Sequence, residues 1–148
     1  MAKPFKKNLL HRIVNPLMML ALRFGLAPSR SRILVTRGRR TGKQYETPIN
    51  LVERDGQRYL VSPYGTEGWA RNARAAGQVG LRRRGQDEDV TIAGVAPEEA
   101  APVLKQYLGE NPITKPYFDH DASQPESAFV AEAPGHPVFR IVDSRPRA

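Results

Sequence analysis

Short apolar runs alternate with turn-forming residues along most of the chain. Six of these runs are β-prone and predict strands: residues 33–36, 49–54, 57–62, 79–84, 89–95 and 138–142. Asp55-Gly56 separates the second run from the third, and Asp-Gly between two β-prone runs is typical of a hairpin. A second hairpin is predicted around residues 85–87. Neighbouring strands joined by tight turns favour an antiparallel sheet or a small barrel over a parallel sheet.

Three other segments predict helices, from apolar spacing in the first and from start and stop residues in the other two. An amphipathic helix is predicted over residues 4–24; we expect it to dock on the domain, with contact to a membrane surface as the alternative. Shorter helices are predicted over residues 65–77 and 97–108, and Pro102 is out of place inside the second of them. Residues 110–137 are rich in proline and irregular, which indicates either a functional lid or a covering loop.

The 148 residues show no internal repeat and no sign of a domain boundary. We therefore expect a single domain over residues 1–148, with a barrel over 33–95 closed by the strand at 138–142. Its class is mainly β with flanking helices (α+β). A mean hydropathy of −0.51 argues against a polytopic membrane protein. The chain has no cysteine, which excludes disulfides and thiolate chemistry, and a cytoplasmic location is expected.

Charge narrows the choice of partner. The formal net charge is +8 and the isoelectric point is about 10.2, so we expect an anionic partner. Nucleic acid, an acidic membrane surface and a phosphorylated or carboxylated small molecule all satisfy that condition. A cluster of Gly, Arg and Lys lies between Thr36 and Pro48, in the stretch TRGRRTGKQYETP, and this composition suits a phosphate.

This stretch fails the test for a nucleotide-binding P-loop. Counting back from Gly42-Lys43, the first glycine of that motif would fall on Arg37. The residue after the lysine is Gln44, which has no hydroxyl group for magnesium. A predicted strand follows, so no helix N-terminus is available for the phosphates. Spacing, chemistry and context all exclude the P-loop.

Other catalytic signatures are missing as well. The dinucleotide-binding glycine motif is absent, and Ser62 lacks the flanking glycines of a nucleophile elbow. His11, His120 and His136 lie far apart in the sequence without ligand spacing, so no metal site is expected.

What remains is a turn with two glycines and four cations. The cations are Arg37, Arg39, Arg40 and Lys43. Glycine lets backbone N–H groups approach an oxyanion, and arginine can bind phosphate through two donors. The spacing alone leaves two interpretations open, a phosphate clamp and a solvated basic hairpin.

Several short motifs taken together resemble one family. They are residues 33–43, Thr47-Pro48, Asp55-Gly56, residues 59–62 and Trp69-x-x-Asn72. Their order and spacing are similar to those of the deazaflavin (F420)-dependent nitroreductases and quinone reductases. That actinobacterial family has a split β-barrel, FMN-binding-like fold and uses the reduced coenzyme, F420H2, to reduce quinones, nitro compounds and activated double bonds. The resemblance covers residues 30–95 and implies an oxidoreductase whose cofactor supplies the hydride.

The resemblance also implies cofactor-binding residues in four places. The turn at 38–43 would hold the phosphate and acidic tail of the coenzyme, and the strand start at 47–48 would lie beside it. The strand end at 62–65 would set its backbone against the deazaflavin ring, and the helix at 69–72 would flank the tail. The complete set is Gly38, Arg39, Arg40, Thr41, Gly42, Lys43, Thr47, Pro48, Ser62, Pro63, Tyr64, Gly65, Trp69 and Asn72.

Two positions depart from the family pattern. Tyr45 stands three residues before Pro48, where the family often has arginine. Ser62-Pro63-Tyr64-Gly65 replaces a Ser-Lys/Asn-Gly-Gly sequence, and the proline removes one backbone donor. FMN bound on the same fold is therefore the alternative cofactor.

Tyr64 and Tyr117 are the residues that we expect to orient the substrate or relay a proton. Tyr64 lies beside the implied ring site, and Tyr117 lies in the segment expected to cover it. Ordinary packing is the alternative for both, and for Trp69. The expected partners are the anionic deazaflavin and a small hydrophobic electron acceptor, in a monomer or homodimer. Two other classes stay open: a basic domain that binds nucleic acid, and a carrier of the coenzyme or a lipid without turnover.

Overall fold

The computed structural model describes Leu17, Leu20 and residues 29–66 and 68–146. The amphipathic helix predicted over residues 4–24 lies outside the described residues, apart from Leu17 and Leu20, whose side chains are exposed.

Between residues 29 and 146 the chain forms one sheet, two α-helices and three short 3-10 helices. The strands are β1 (Ser31–Arg37), β2 (Gln44–Asn50), β3 (Val52–Arg54), β4 (Gln57–Val61), β5 (Gln78–Arg83), β6 (Gln86–Gly94) and β7 (Val138–Pro146). The α-helices are α1 (Trp69–Ala76) and α2 (Pro97–Glu110). The 3-10 helices are Pro112–Tyr117, Glu126–Val130 and Ala133–Gly135.

The order of the strands shows how the sheet closes. All pairings are antiparallel, in the order β2-β1-β5-β6-β7-β4-β3. The two edge strands, β2 and β3, are separated in sequence by Leu51 alone. Because neighbouring Cα atoms are about 3.8 Å apart, the two edges must lie side by side, and the sheet curls into a half-barrel. The predicted antiparallel split barrel is confirmed.

That closure also corrects one predicted strand. Residues 49–54 do not form a continuous strand, because the chain passes from one edge of the sheet to the other at Leu51. Leu51 is fully buried, and its N–H group donates to the carbonyl of Arg30 over 2.8 Å. A buried apolar side chain and a satisfied backbone donor together fix this crossing point.

Both predicted hairpins are present, and the turn of the second lies one residue earlier than expected. Asp55 and Gly56 have φ angles of 51° and 75°, and Arg84 and Gly85 have φ angles of 54° and 74°. Two consecutive left-handed residues are typical of the two-residue hairpin turn. Gln86 is therefore the first residue of β6 rather than part of the turn, because Arg84 takes a left-handed conformation that non-glycine residues seldom adopt.

Two apolar clusters fill the fold. One packs α1 on the sheet, and its buried members include Leu34, Leu60, Ala73, Leu81 and Phe139. The other packs α2 and the 3-10 helices on β3 and β4, and its buried members include Val61, Leu104, Tyr107, Phe118 and Phe129.

The helical and irregular parts differ in detail from the sequence-based expectation. α2 continues through Pro102 to Glu110, with Pro97 in the first turn, where proline is favourable. Residues 112–137, called here the covering segment, contain the three 3-10 helices, and bury Phe118 and Phe129 against α2. β7 extends past residue 142 because its C-terminal half pairs with β6.

Candidate functional site

The basic turn, residues 37–43, joins β1 to β2 and is closed by its own backbone. The N–H group of Gly38 donates to the carbonyl of Lys43 over 2.7 Å, and that of Gly42 donates to the carbonyl of Gly38 over 2.9 Å. Thr41 Oγ1 accepts from the N–H group of Lys43 over 3.2 Å. Gly42 has a φ of 71°, a left-handed conformation that favours glycine. The turn therefore has a defined shape before any ligand binds.

At Gly38, glycine is favoured because a side chain would have too little room, not because of the backbone conformation. A Cβ atom at this position would lie 2.9 Å from Thr41 Oγ1 and 3.3 Å from Tyr45 Cε2. Tyr45 lies on β2, is partly exposed, and has the ammonium group of Lys43 at 5.5 Å from its ring centroid. At the position where the family resemblance implied arginine, an aromatic ring thus supports the cation of Lys43.

The cations of the basic turn are not neutralised by nearby acids. The side chains of Arg37, Arg39, Arg40 and Lys43 are exposed, and no residue from 36 to 45 is acidic. Within the described ranges none of the four forms an ion pair. Arg39 Nη1 donates to Oδ1 of the buried Asn72 over 3.2 Å, which joins the turn to α1. Two residues of the predicted set that are far apart in sequence are therefore in contact.

The predicted residues of β2 lie beside the basic turn. Thr47 pairs with Leu34 and Pro48 with Ile33 on β1, and both are half-buried. Proline is tolerated here because β2 is an edge strand. Thr36, the residue before the turn, is buried, and its Oγ1 has no hydrogen-bond partner among the described residues.

A second turn, residues 62–65, follows β4 and is held by Ser62. The N–H group of Ser62 donates to the carbonyl of Pro137 over 2.9 Å, and its Oγ donates to the carbonyl of Gly65 over 2.6 Å. Pro63 is buried and has no N–H group. Gly65 has a φ of 115°, which disfavours other residues. Ser62 is thus committed to holding the turn in place.

The two tyrosines predicted to be catalytic are in contact. The rings of Tyr64 and Tyr117 meet edge to face, with centroids 4.9 Å apart and an interplanar angle of 83°. Tyr64 is 39% exposed. Burial raises the pKa of Tyr64, and Tyr117 beside it raises that pKa further. The structure therefore brings the 62–65 turn and the covering segment together at these two rings.

Trp69 packs on the apolar cluster beneath α1. Its ring contacts Phe139 of β7, with centroids 6.1 Å apart. This is the packing role that the sequence left open for it. Asn72, one turn later on α1, is the residue of this pair that contacts the basic turn.

A buried polar group that sequence reasoning missed lies within the covering segment. Glu132 accepts hydrogen bonds from the N–H groups of Asp119 (2.6 Å) and His120 (2.8 Å), and from Nδ1 of His120 (2.9 Å). His136 Nε2 lies 3.3 Å from the other carboxylate oxygen, and its ring stacks on Phe118 with centroids 4.0 Å apart. Spacing gave no signal because these residues belong to an irregular segment.

A metal-binding cluster and a membrane-spanning helix are both absent from the described part of the chain. Among the residues that the structure describes, no group of three or more acidic or histidine side chains is placed to hold a metal ion. Over the same residues, no helix combines the length and apolarity needed to cross a bilayer.

An antiparallel half-barrel with these two turns is the FMN-binding-like split barrel, and solved structures agree on the fold. A protein of unknown function from Agrobacterium tumefaciens superposes with a TM-score of 0.56 at 17% identity, over 99% of this chain and 61% of its own. A NimC/NimA family protein from Clostridium acetobutylicum gives 0.54 at 19% identity, over 86% and 83% of the two chains. An F420-H2 dependent reductase, FDR-A, gives 0.51 at 20% identity, over 76% and 94%.

A comparison of the sequence with known families identifies the family of this chain. Residues 21–122 match the F420H(2)-dependent quinone reductase family, and the chain belongs to it. It is therefore an F420-dependent oxidoreductase, as the motifs implied. No curated protein is significantly similar to the chain.

Proposed function

We propose that the protein transfers hydride from F420H2 to a quinone, a nitro compound or an activated double bond, at the 62–65 turn. The proposal rests on the structural connection between the basic turn and the 62–65 turn. α1 begins four residues after the 62–65 turn, and its Asn72 is hydrogen-bonded to Arg39 of the basic turn. One short helix thus links a cationic clamp to a turn lined by tyrosines.

The residues present fit the anionic half of the coenzyme. Its phosphodiester and γ-linked glutamate tail match the exposed cations of the basic turn. Thr36, the residue before the turn, adds a buried hydroxyl group whose Oγ1 has no hydrogen-bond partner among the described residues. We assign the tail to Gly38, Arg39, Arg40, Thr41, Gly42 and Lys43, with Asn72 holding Arg39 and Thr47 and Pro48 flanking the turn.

The 62–65 turn is the element that we assign to the ring. The bound coenzyme would supply the hydride. The N–H group of Ser62 is already bound to Pro137, and Pro63 has none. We assign the N–H group of Gly65, at the end of the turn, to negative charge developing at the ring. Ser62 and Pro63 shape the turn rather than contact the reacting atoms.

Tyr64 and Tyr117 suit a flat, apolar acceptor. Their edge-to-face contact presents aromatic surface, and the exposed part of Tyr64 leaves that surface open to solvent. The hydroxyl group of Tyr64 is protonated at neutral pH and can donate a hydrogen bond to a reduced oxygen, while its raised pKa makes it a weaker proton donor.

The test is a binding titration followed by turnover. Isothermal titration of the protein with F420 should give micromolar or tighter binding, and FMN should bind more weakly. Tight FMN binding without F420 binding would overturn the assignment. With F420H2 present, a soluble quinone and a nitroaromatic compound should oxidise it at a rate that falls in Tyr64→Phe and Tyr117→Phe. Tyr59→Phe is the matched control, because that hydroxyl donates to Glu99 elsewhere on the barrel.

A further inference from the structure

The histidine at the end of the covering segment has one nitrogen whose state can be assigned. Glu132 is 3% exposed and accepts only, so His136 presents an Nε2–H to it. The neutral ring then carries a bare lone pair on Nδ1. Phe118 stacks on the face of the ring, and Nδ1 itself is buried. His136 itself is 7% exposed.

Nδ1 lies near the 62–65 turn, because the N–H group of Ser62 donates to the carbonyl group of Pro137, the residue after His136. This nitrogen is buried and has no hydrogen-bond partner among the described residues. The backbone carbonyl groups of Pro63 and Ser62 lie beside the ring and would interact favourably with its protonated form. Because Nε2 faces Glu132, Nδ1 is the nitrogen left to interact with those carbonyl groups. A proton added to Nδ1 would allow a hydrogen bond to one of them.

We propose that His136 is a positioning residue for the 62–65 turn, and that protonation of its Nδ1 ties the covering segment to the carbonyl groups of Ser62 and Pro63. The inference rests on the proposed function in one respect only: the 62–65 turn must be the ring site for the contact to affect the coenzyme. His136 touches neither the coenzyme nor the acceptor in this scheme. It acts through the backbone of the turn.

Other groups around the ring set the range in which it titrates. On its own segment Glu132 faces it, and beyond that carboxylate lie His120 and the backbone of Asp119. The tyrosines in the surrounding elements are Tyr64 on the turn, Tyr117 on the 3-10 helix before Phe118, and Tyr107 on α2. Burial lowers the pKa of His136, and Glu132 and the two carbonyl groups raise it in part. The change is therefore expected on the acid side of pH 6.5.

Nuclear magnetic resonance tests the contact without any coenzyme. Between pH 8 and pH 5, the amide resonances of Tyr64 and Gly65 should shift with the same midpoint as the imidazole of His136. In His136→Gln, whose amide nitrogen can still donate to Glu132 but which has no atom at Nδ1, those shifts should disappear. In His120→Asn, the matched control, they should persist. Amides that do not titrate in the unaltered protein, or that titrate unchanged in His136→Gln, would overturn the inference.

Coenzyme binding then tests the consequence. The ratio of the F420 dissociation constant at pH 8 to that at pH 5.5 should be about five-fold larger in the unaltered protein than in His136→Gln, the effect of one hydrogen bond. Dividing by the variant's ratio cancels any titration of the coenzyme itself. If F420 does not bind at either pH, the proposed function fails. If it binds with equal ratios in both proteins, His136 does not position the turn.

Discussion

Arg39 and Arg40 are neighbours in the basic turn, yet the structure predicts that their removal has different effects on stability. Arg40 is exposed and makes no hydrogen bond to the described residues. Arg39 donates to Oδ1 of Asn72, a side chain that is only 9% exposed. Arg39→Ala therefore leaves a buried acceptor without its donor, whereas Arg40→Ala removes only a solvated side chain.

The magnitudes follow from those surroundings. Loss of the donor to a buried acceptor costs about 1–3 kcal/mol, and the exposed position of Arg39 lets water reach Asn72, so we expect about 1 kcal/mol. That corresponds to a fall in Tm of about 3 °C for a chain of this size. Arg40→Ala should change stability by less than about 0.5 kcal/mol. For coenzyme binding, each variant should lose about 1.5–3 kcal/mol, or roughly 10- to 150-fold in Kd, because each removes a charge-assisted bond to an anion.

Calorimetric titration with F420 and thermal unfolding of the free protein measure the two effects separately. A double-mutant cycle with Asn72→Ala should assign the loss of stability in Arg39→Ala to that contact. Arg145→Ala, which removes an exposed cation from the far end of β7, is the control for net charge. Unchanged Kd values in both arginine variants would refute the phosphate clamp. Greater destabilisation by Arg40→Ala than by Arg39→Ala would refute the account of Asn72.

Three further changes have outcomes that the structure fixes. Gly38→Ala should destabilise the protein by about 1–3 kcal/mol in urea denaturation, and Thr41→Ala in the same chain should restore part of that loss, since it removes the atom 2.9 Å from the new Cβ. Burial lowers the pKa of His136 below 6.5, so the unfolded chain binds the proton of this imidazole more tightly than the folded chain does. The Tm should therefore fall as the pH drops below about 6.5, and it should fall less in His136→Gln. Phe129→Ala should cost about 3–5 kcal/mol because the side chain is fully buried, whereas Ile113→Ala, at an exposed site, should cost less than about 0.5 kcal/mol. A small effect of Phe129→Ala would mean that the covering segment is a detachable lid.

The sequence predicts those parts of the fold that depend on local chemistry. Asp55-Gly56 predicts its hairpin because few residues accept two left-handed conformations in succession. Gly77 predicts the end of α1, and it takes the left-handed position there. Local chemistry does not predict the break at Leu51, because an apolar residue between two β-prone runs resembles the middle of one strand. Only the closure of the barrel, which is a long-range event, divides the strand there.

The candidate site, like the fold, could be predicted from the sequence only where its residues are adjacent in the chain. The basic turn is visible in the sequence because its glycines and cations are adjacent. The contact between Arg39 and Asn72 spans 33 residues, and the resemblance to a family implied only that the helix carrying Asn72 flanks the turn. Glu132 and His136 could not be predicted, because an irregular segment has no periodicity that would separate a buried carboxylate from an exposed one. Their partners, Phe118 and His120, are brought to them by the packing of 3-10 helices.

Closure of the barrel also holds the two turns of the candidate site in place. Since the edges β2 and β3 meet at Leu51, the basic turn before β2 and the 62–65 turn after β4 are both held by a sheet whose register is fixed. Ser62 adds a bond to Pro137, so β7 and the covering segment constrain the same turn from the other side. A site that relies on backbone groups must be rigid, because a backbone donor cannot rotate towards its acceptor as a side chain can. The energy that holds this site is therefore spread over the barrel, and substitutions at Leu51 or Phe129 should weaken coenzyme binding without touching it.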